Sequence, residues 1–257
     1  MLIDIRGRLL ALDDLGTGEP LLLVHGLGGT ANSWAPVMEA FRHSHRVIAL
    51  DLPGAGRSAH DPAATLTSMA ADVLAVLDAL GLESTHLVGH SMGTVTCQHV
   101  AATAPQRVRD LVLLGPLAEP PEAARPALAA RGQTALAEGM DGIAELLCER
   151  GLAPATRARN PVITGFVREL LQRQAPAAYA RHCQALSEAV KADPTRVQSR
   201  TLLVSGTEDT TSPPASVAAL AASLPNATRI ELPDCGHWTM LEQPAAVVAA
   251  MQAFYGA

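Results

Sequence analysis

The sequence predicts an α/β fold: a mostly parallel central sheet with helices on both faces and an inserted helical cap. Three observations carry this. Short apolar runs alternate with stretches of helical periodicity along most of the chain. Two of the runs, Leu21-Leu22-Leu23-Val24 and Leu111-Val112-Leu113-Leu114, are continuously apolar, as strands buried on both faces are. The alternation stops once, after Gly115, and resumes at Thr201.

Taken in order, strands are expected at Leu9–Leu12, Leu21–Val24, Val47–Leu50, His86–Val88, Leu111–Leu114, Leu202–Val204 and Arg229–Leu232. Helices fall between several of them. Leu66–Leu80 is one, with apolar residues recurring three and four apart. From Pro116 to Ser199 no strand pattern occurs, and alanine, arginine and glutamate recur at helical spacing between scattered prolines. A structureless loop that long does not suit a compact domain, so residues 116–199 are expected to form the cap. Residues 1–115 and 200–257 are expected to form the core.

Composition narrows the functional classes. The chain has 257 residues, 48% of them hydrophobic, with no uninterrupted apolar stretch long enough to span a bilayer. A net charge of −6 argues against nucleic acid as a partner. Met1-Leu2-Ile3-Asp4-Ile5-Arg6 carries an acid inside its apolar stretch and does not read as a secretory signal, so a cytoplasmic protein is expected. Cys97, Cys148, Cys183 and Cys235 are widely spaced, and suggest neither zinc nor a redox pair. Arginine occurs eighteen times and lysine once, at Lys191; with so much alanine, this composition points to a GC-rich bacterial genome.

The strongest chemical signal is Gly89-His90-Ser91-Met92-Gly93, between the strand ending at Val88 and the helical stretch Thr94–Ala104. A serine at so sharp a strand-to-helix turn projects its hydroxyl clear of the sheet, and small neighbours let the chains pass closely. Serine needs a base within hydrogen-bond reach to act as a nucleophile. His237, in Asp234-Cys235-Gly236-His237-Trp238, follows the last expected strand at the edge where open α/β sheets place their sites. His90 reads as packing. A carboxylate must then orient the imidazole, and Asp209 in Gly206-Thr207-Glu208-Asp209 follows a strand end directly, with Glu208 as its local rival. The order Ser91, Asp209, His237 favours Asp209. His25-Gly26-Leu27-Gly28-Gly29 would supply an oxyanion hole, with the Leu27 and Met92 backbone N–H groups as donors. Neither a GxxxxGK[ST] nor a GxGxxG phosphate loop occurs.

With these residues in place, the chain resembles an α/β-hydrolase fold enzyme. His25-Gly26, the Asp51–Ser58 stretch, the GHSMG turn, the Asp209 loop and Gly236-His237 carry the resemblance, and the cap is unmatched. Within that family it is similar to the 3-oxoadipate enol-lactonase-like and small carboxylesterase branch, on the His25–Gly29 loop, Ala178–Cys183 and Gly236-His237-Trp238 with Leu241-Glu242-Gln243-Pro244. Thr94 stands where many relatives carry glycine. The resemblance implies hydrolysis of a small-molecule carboxylic ester or lactone through an acyl-enzyme on Ser91, an activity of the EC 3.1.1 type. It implies no metal or organic cofactor. Trp34, Leu117, Phe166 and Trp238 are expected to line the pocket beside Leu27 and Met92. One cap arginine, with Arg181 the first choice, would face it if the substrate is acidic. A carbon–carbon bond hydrolase or a cofactor-free haloperoxidase or perhydrolase would keep the same triad. A non-catalytic binding protein would have no use for it.

Overall fold

The structure, a computed structural model, describes residues 1–256. Its strands are β1 (Leu2–Ile5), β2 (Arg8–Leu15), β3 (Glu19–Val24), β4 (His45–Leu50), β5 (Thr85–His90), β6 (Val108–Leu114), β7 (Arg200–Gly206) and β8 (Ala227–Leu232). The helices of the amino-terminal part are α1 (Ala35–Phe41), α2 (Leu66–Ala79) and α3 (Met92–Thr103). Five more separate β6 from β7: α4 (Arg125–Glu138), α5 (Asp141–Gly151), α6 (Pro154–Arg159), α7 (Pro161–Gln172) and α8 (Pro176–Ser187). The chain finishes with α9 (Pro214–Ser223), α10 (Thr239–Glu242) and α11 (Pro244–Tyr255).

All eight strands join one sheet in the order β1-β2-β4-β3-β5-β6-β7-β8. The first three pair antiparallel, and every pairing from β4 through β8 is parallel. Alternate side chains of a strand point to opposite faces, and here both faces are covered. Leu22 and Val24 of β3 pack into a layer with α2, α3 and α9, while Leu21 and Leu23 pack against α1 and α11. This is why the run reads as continuously apolar: each leucine is buried, on whichever side it falls, at about 1.5–3 kcal/mol apiece. A capping box between Thr65 and Ser68 opens α2 where its periodicity begins.

β1 is absent from the sequence expectation. It forms an antiparallel hairpin with β2 through Arg6-Gly7, both at positive φ (56° and 81°), the backbone of a tight two-residue turn. Its residues sit at the sheet edge with only Ile5 buried, and Asp4 interrupts the short apolar stretch that they make.

Between β6 and β7 the chain is helical, without a strand. α4 and α8 pack on each other through a small core of Ala135, Tyr179 and Cys183, which Met140 and Ile143 complete. Among the described residues, no helix is long and apolar enough to cross a membrane. All four cysteines are free and buried.

Candidate active site

The parallel strands all end at one edge, and the loops that leave β3, β5, β6, β7 and β8 meet there. Ser91 stands between the last residue of β5 and the first of α3, at φ 51° and ψ −120°. No other residue of the elbow departs from ordinary backbone, and its sharpness depends on close approach. A Cβ on Gly93 would lie 2.3 Å from the Val24 carbonyl oxygen, and one on Gly26 would lie 2.7 Å from the Ser91 Cβ. Neither position accepts a side chain without moving backbone. Thr94 fills the place of an absent glycine usefully. Its buried hydroxyl donates to the Ser91 carbonyl at 2.6 Å and accepts from the Leu117 N–H at 3.0 Å.

His237 lies between Ser91 and Asp209. Its Nε2 is 2.7 Å from the Ser91 Oγ, and its Nδ1 is 2.8 Å from the Asp209 Oδ2. Because the carboxylate can only accept, Nδ1 carries the proton and Nε2 presents a lone pair to the serine O–H. The second Asp209 oxygen accepts from the Thr211 and Ser212 N–H groups, each at 2.8 Å. Burial pushes the Asp209 carboxyl up, but His237 and the two backbone amides outweigh it and hold the group below its ordinary value. The carboxylate is thus ionised and fixed. Glu208 is exposed to solvent and its side chain takes no part.

His90 does more than pack. Its Nε2 donates to the His237 carbonyl oxygen at 3.0 Å, and its ring lies 5.0 Å from those of His237 and Trp238. Burial, reinforced by His237, lowers its pKa to about 3, so it stays neutral and keeps that N–H. The loop after β3 is held likewise. His25 donates from Nδ1 to the Gly26 carbonyl at 2.8 Å, and its Nε2 accepts from the Leu52 N–H at 3.0 Å. The Leu27 and Met92 N–H groups, on the two loops flanking Ser91, donate to no acceptor among the described residues.

A cavity of about 470 Å³ opens over Ser91 and His237. Leu27, Leu117, Leu128, Leu147, Leu186 and Trp238 give it an apolar wall. Three of the expected lining residues are elsewhere, the first being Met92, whose side chain is fully buried in the layer with α2, α3 and α9. Trp34 is fully buried with α1 and α10 in the layer beneath the sheet, and Phe166 packs from α7 onto that same layer. Arg181 also fails to reach the cavity, since it turns to Glu188 at 3.2 Å. Arg131, one helix away on α4, lines it instead, as does the exposed Arg150. Arg131 forms no ion pair among the described residues, and its Nε is buried without a hydrogen-bond partner. The one carboxylate in the wall, Glu119, is already paired with Arg125 at 3.2 Å. No group of three or more potential metal ligands occurs among the described residues.

Known proteins share this architecture. The model of the alpha/beta hydrolase fold family matches residues 19–140 and 155–244, and the chain belongs to that family. Among solved structures it is similar to a thermophilic esterase from Thermogutta terrifontis, at a TM-score of 0.92 and 29% identity over 99% of this chain and 98% of that one. It is also similar to the enol-lactonase from Burkholderia xenovorans LB400, at a TM-score of 0.92 and 25% identity over the full length of both. Some curated relatives are matched over only part of their length. The chain is 46% identical over 114 residues to the dihydrolipoyllysine-residue acetyltransferase component of the acetoin cleaving system of Pseudomonas putida, of which it covers 31%.

Proposed function

We propose that this alpha/beta hydrolase cleaves small carboxylic esters or lactones through an acyl-enzyme on Ser91, with residues 116–199 acting as a cap on the core of residues 1–115 and 200–257. The observation that carries the reading is the unbroken chain from the Ser91 Oγ through His237 to Asp209, with spacings of 2.7 and 2.8 Å. Ser91 attacks the carbonyl carbon while His237 Nε2 takes the hydroxyl proton. The free Leu27 and Met92 amides hold the oxyanion, each at about 10²–10³ in rate. His237 then protonates the departing alcohol, or the ring-opened oxygen of a lactone, and a water deprotonated by the same nitrogen releases the acid.

The cavity wall favours a substrate that bears a second, free carboxylate. Arg131 supplies a guanidinium that no protein carboxylate engages, and a charge-assisted hydrogen bond to such a group contributes about 1.5–3 kcal/mol. The similar Thermogutta esterase was solved with malate, a dicarboxylate, bound. The test compares neutral p-nitrophenyl esters with lactones and esters of equal size bearing a free acid, in the wild type, Ser91→Ala and Arg131→Met. Turnover that disappears in Ser91→Ala supports the acyl-enzyme, and no turnover of any ester or lactone sinks it. Arg131→Met should raise KM for the acidic substrates about tenfold or more while sparing the neutral esters. Equal effects on both would remove the carboxylate from the proposal and leave a hydrolase of neutral esters.

A further inference from the structure

The histidine loop is fastened to the helical excursion as well as to the sheet. The His237 N–H itself donates to the Gly151 carbonyl oxygen at 2.8 Å, at the end of α5. Glu242, on α10, then bridges the two segments with its carboxylate. Oε1 accepts from the Trp238 N–H at 3.1 Å. Oε2 accepts from the Ala153 N–H at 2.8 Å and from the Thr156 hydroxyl at 2.7 Å, both on the turn into α6. The contact is close enough that a Cβ on Gly236 would lie 2.7 Å from both the Ala153 nitrogen and the Gly151 oxygen. Glu242 forms no ion pair among the described residues. Its charge serves three neutral donors, two of them backbone amides that only an acceptor can satisfy.

We propose that Glu242 is a positioning residue that sets His237 by clamping its loop to the Gly151–Thr156 turn, so that the imidazole holds its place only while that turn is docked. The inference rests on reading His237 as the base. The acid loop leans on the same turn, since the Thr210 hydroxyl donates to the Arg150 carbonyl at 3.2 Å. Both partners of Ser91 are thereby referenced to one short stretch of the cap. A displacement of the base of about 1 Å can cost on the order of a hundredfold in rate, so a clamp acting on the residue next to His237 has leverage on kcat.

Glu242→Gln is the discriminating change. It keeps the shape but leaves one oxygen, so either the Trp238 or the Ala153 N–H must face an NH2 group. Thr156→Val removes one donor on the cap side alone and perturbs folding little. With p-nitrophenyl acetate, Glu242→Gln should lower kcat about tenfold and Thr156→Val a fewfold, with KM within about twofold. The double variant should be no slower than Glu242→Gln, because both act through one carboxylate. In proton NMR, the low-field resonance of the His237 Nδ1–H bonded to Asp209 should move in both variants. Unchanged kcat and resonance beside a lowered Tm would make Glu242 a fastening of the fold only, and would overturn the proposal. Ser91→Ala separates this from a failure of the site: if it hydrolyses the ester at the wild-type rate, the site has been misread whatever Glu242 does.

Discussion

Two buried histidine–carboxylate pairs stand at opposite ends of the same sheet. At the ends of the parallel strands, His237 Nδ1 lies 2.8 Å from Asp209. At their beginnings, His86 Nδ1 lies 3.0 Å from Asp110, although without the alignment of a hydrogen bond. The second nitrogen separates them. His237 Nε2 meets the Ser91 hydroxyl at the floor of the cavity, whereas His86 Nε2 meets a second carboxylate, Glu19, at 3.2 Å. Arg200 and Arg109 then occupy Asp110 and Glu19, and the Tyr255 ring lies 4.7 Å from the imidazole. The hydrogen bond from His86, followed by that from Arg109, holds the Glu19 carboxyl below its ordinary value. A histidine set against an aspartate is therefore no mark of catalysis. What counts is whether the other nitrogen faces a group with a proton to give and room for a substrate.

The comparison can be broken by mutation. Ser91→Ala and His237→Ala should each lower kcat by about 10⁶, and the double variant should be little worse, since the residues act as a unit. Multiplicative losses would mean that they do not cooperate. Asp209→Asn should cost about 10⁴ in kcat by removing the imidazolium partner and favouring the wrong tautomer. The matching change at the other end, Asp110→Asn, should leave kcat within about twofold while lowering stability by about 1–3 kcal/mol, because it removes the buried carboxylate charge that Arg200 pairs with. Comparable kcat losses at the two ends would abolish the distinction.

A third measurement sharpens it through pH. Burial lowers the pKa of His90 to about 3 and of His182 to about 4, and lowers that of His25 as well. The unfolded chain takes up these protons near pH 6.5, while in the folded chain His90 and His182 do not until far lower pH. The stability they confer is full above about pH 6.5 and is lost as pH falls toward 4. Each histidine contributes a slope of up to about 1.4 kcal/mol per pH unit. Tm should drop steeply between pH 6.5 and 5, and a flat profile would show that the buried rings are protonated in the fold. The smallest effect belongs to Glu208→Gln, which should leave kcat within about twofold because its side chain is in solvent.

The sequence made the strand ends legible because each leaves a local mark. GHSMG and Gly206–Pro213 each follow a short apolar run, Gly236-His237 follows the mixed strand β8, and the structure brings all of them to one edge. β1 left only a short apolar stretch broken by Asp4. Its pairing depends on a turn in which Arg6, an ordinary residue, adopts positive φ. The cavity wall was hidden for a different reason. Arg131 and Arg181 both stand on helices between β6 and β7, and only the packing of α4 on α8 decides that one faces the cavity and the other pairs with Glu188. Trp34 misled because an aromatic ring near a site is as readily core as lining. Glu242 was visible as part of the carboxy-terminal pattern, but the turn that it clamps lies far away in the chain.

The backbone of Ser91 has a consequence for how the protein withstands heat. Its φ of 51° with ψ of −120° is a conformation that glycine adopts freely and a side-chain-bearing residue does not. The position that we propose as the nucleophile is thus one of the chain's thermal weak points, where selection for turnover would work against selection for a higher melting temperature. Alanine keeps the Cβ and with it the strain, so Ser91→Ala removes the chemistry without relaxing the turn. Glycine would remove both at once. A copy of this chain freed from the need to react would gain by drifting to glycine there, becoming sturdier as it became inert.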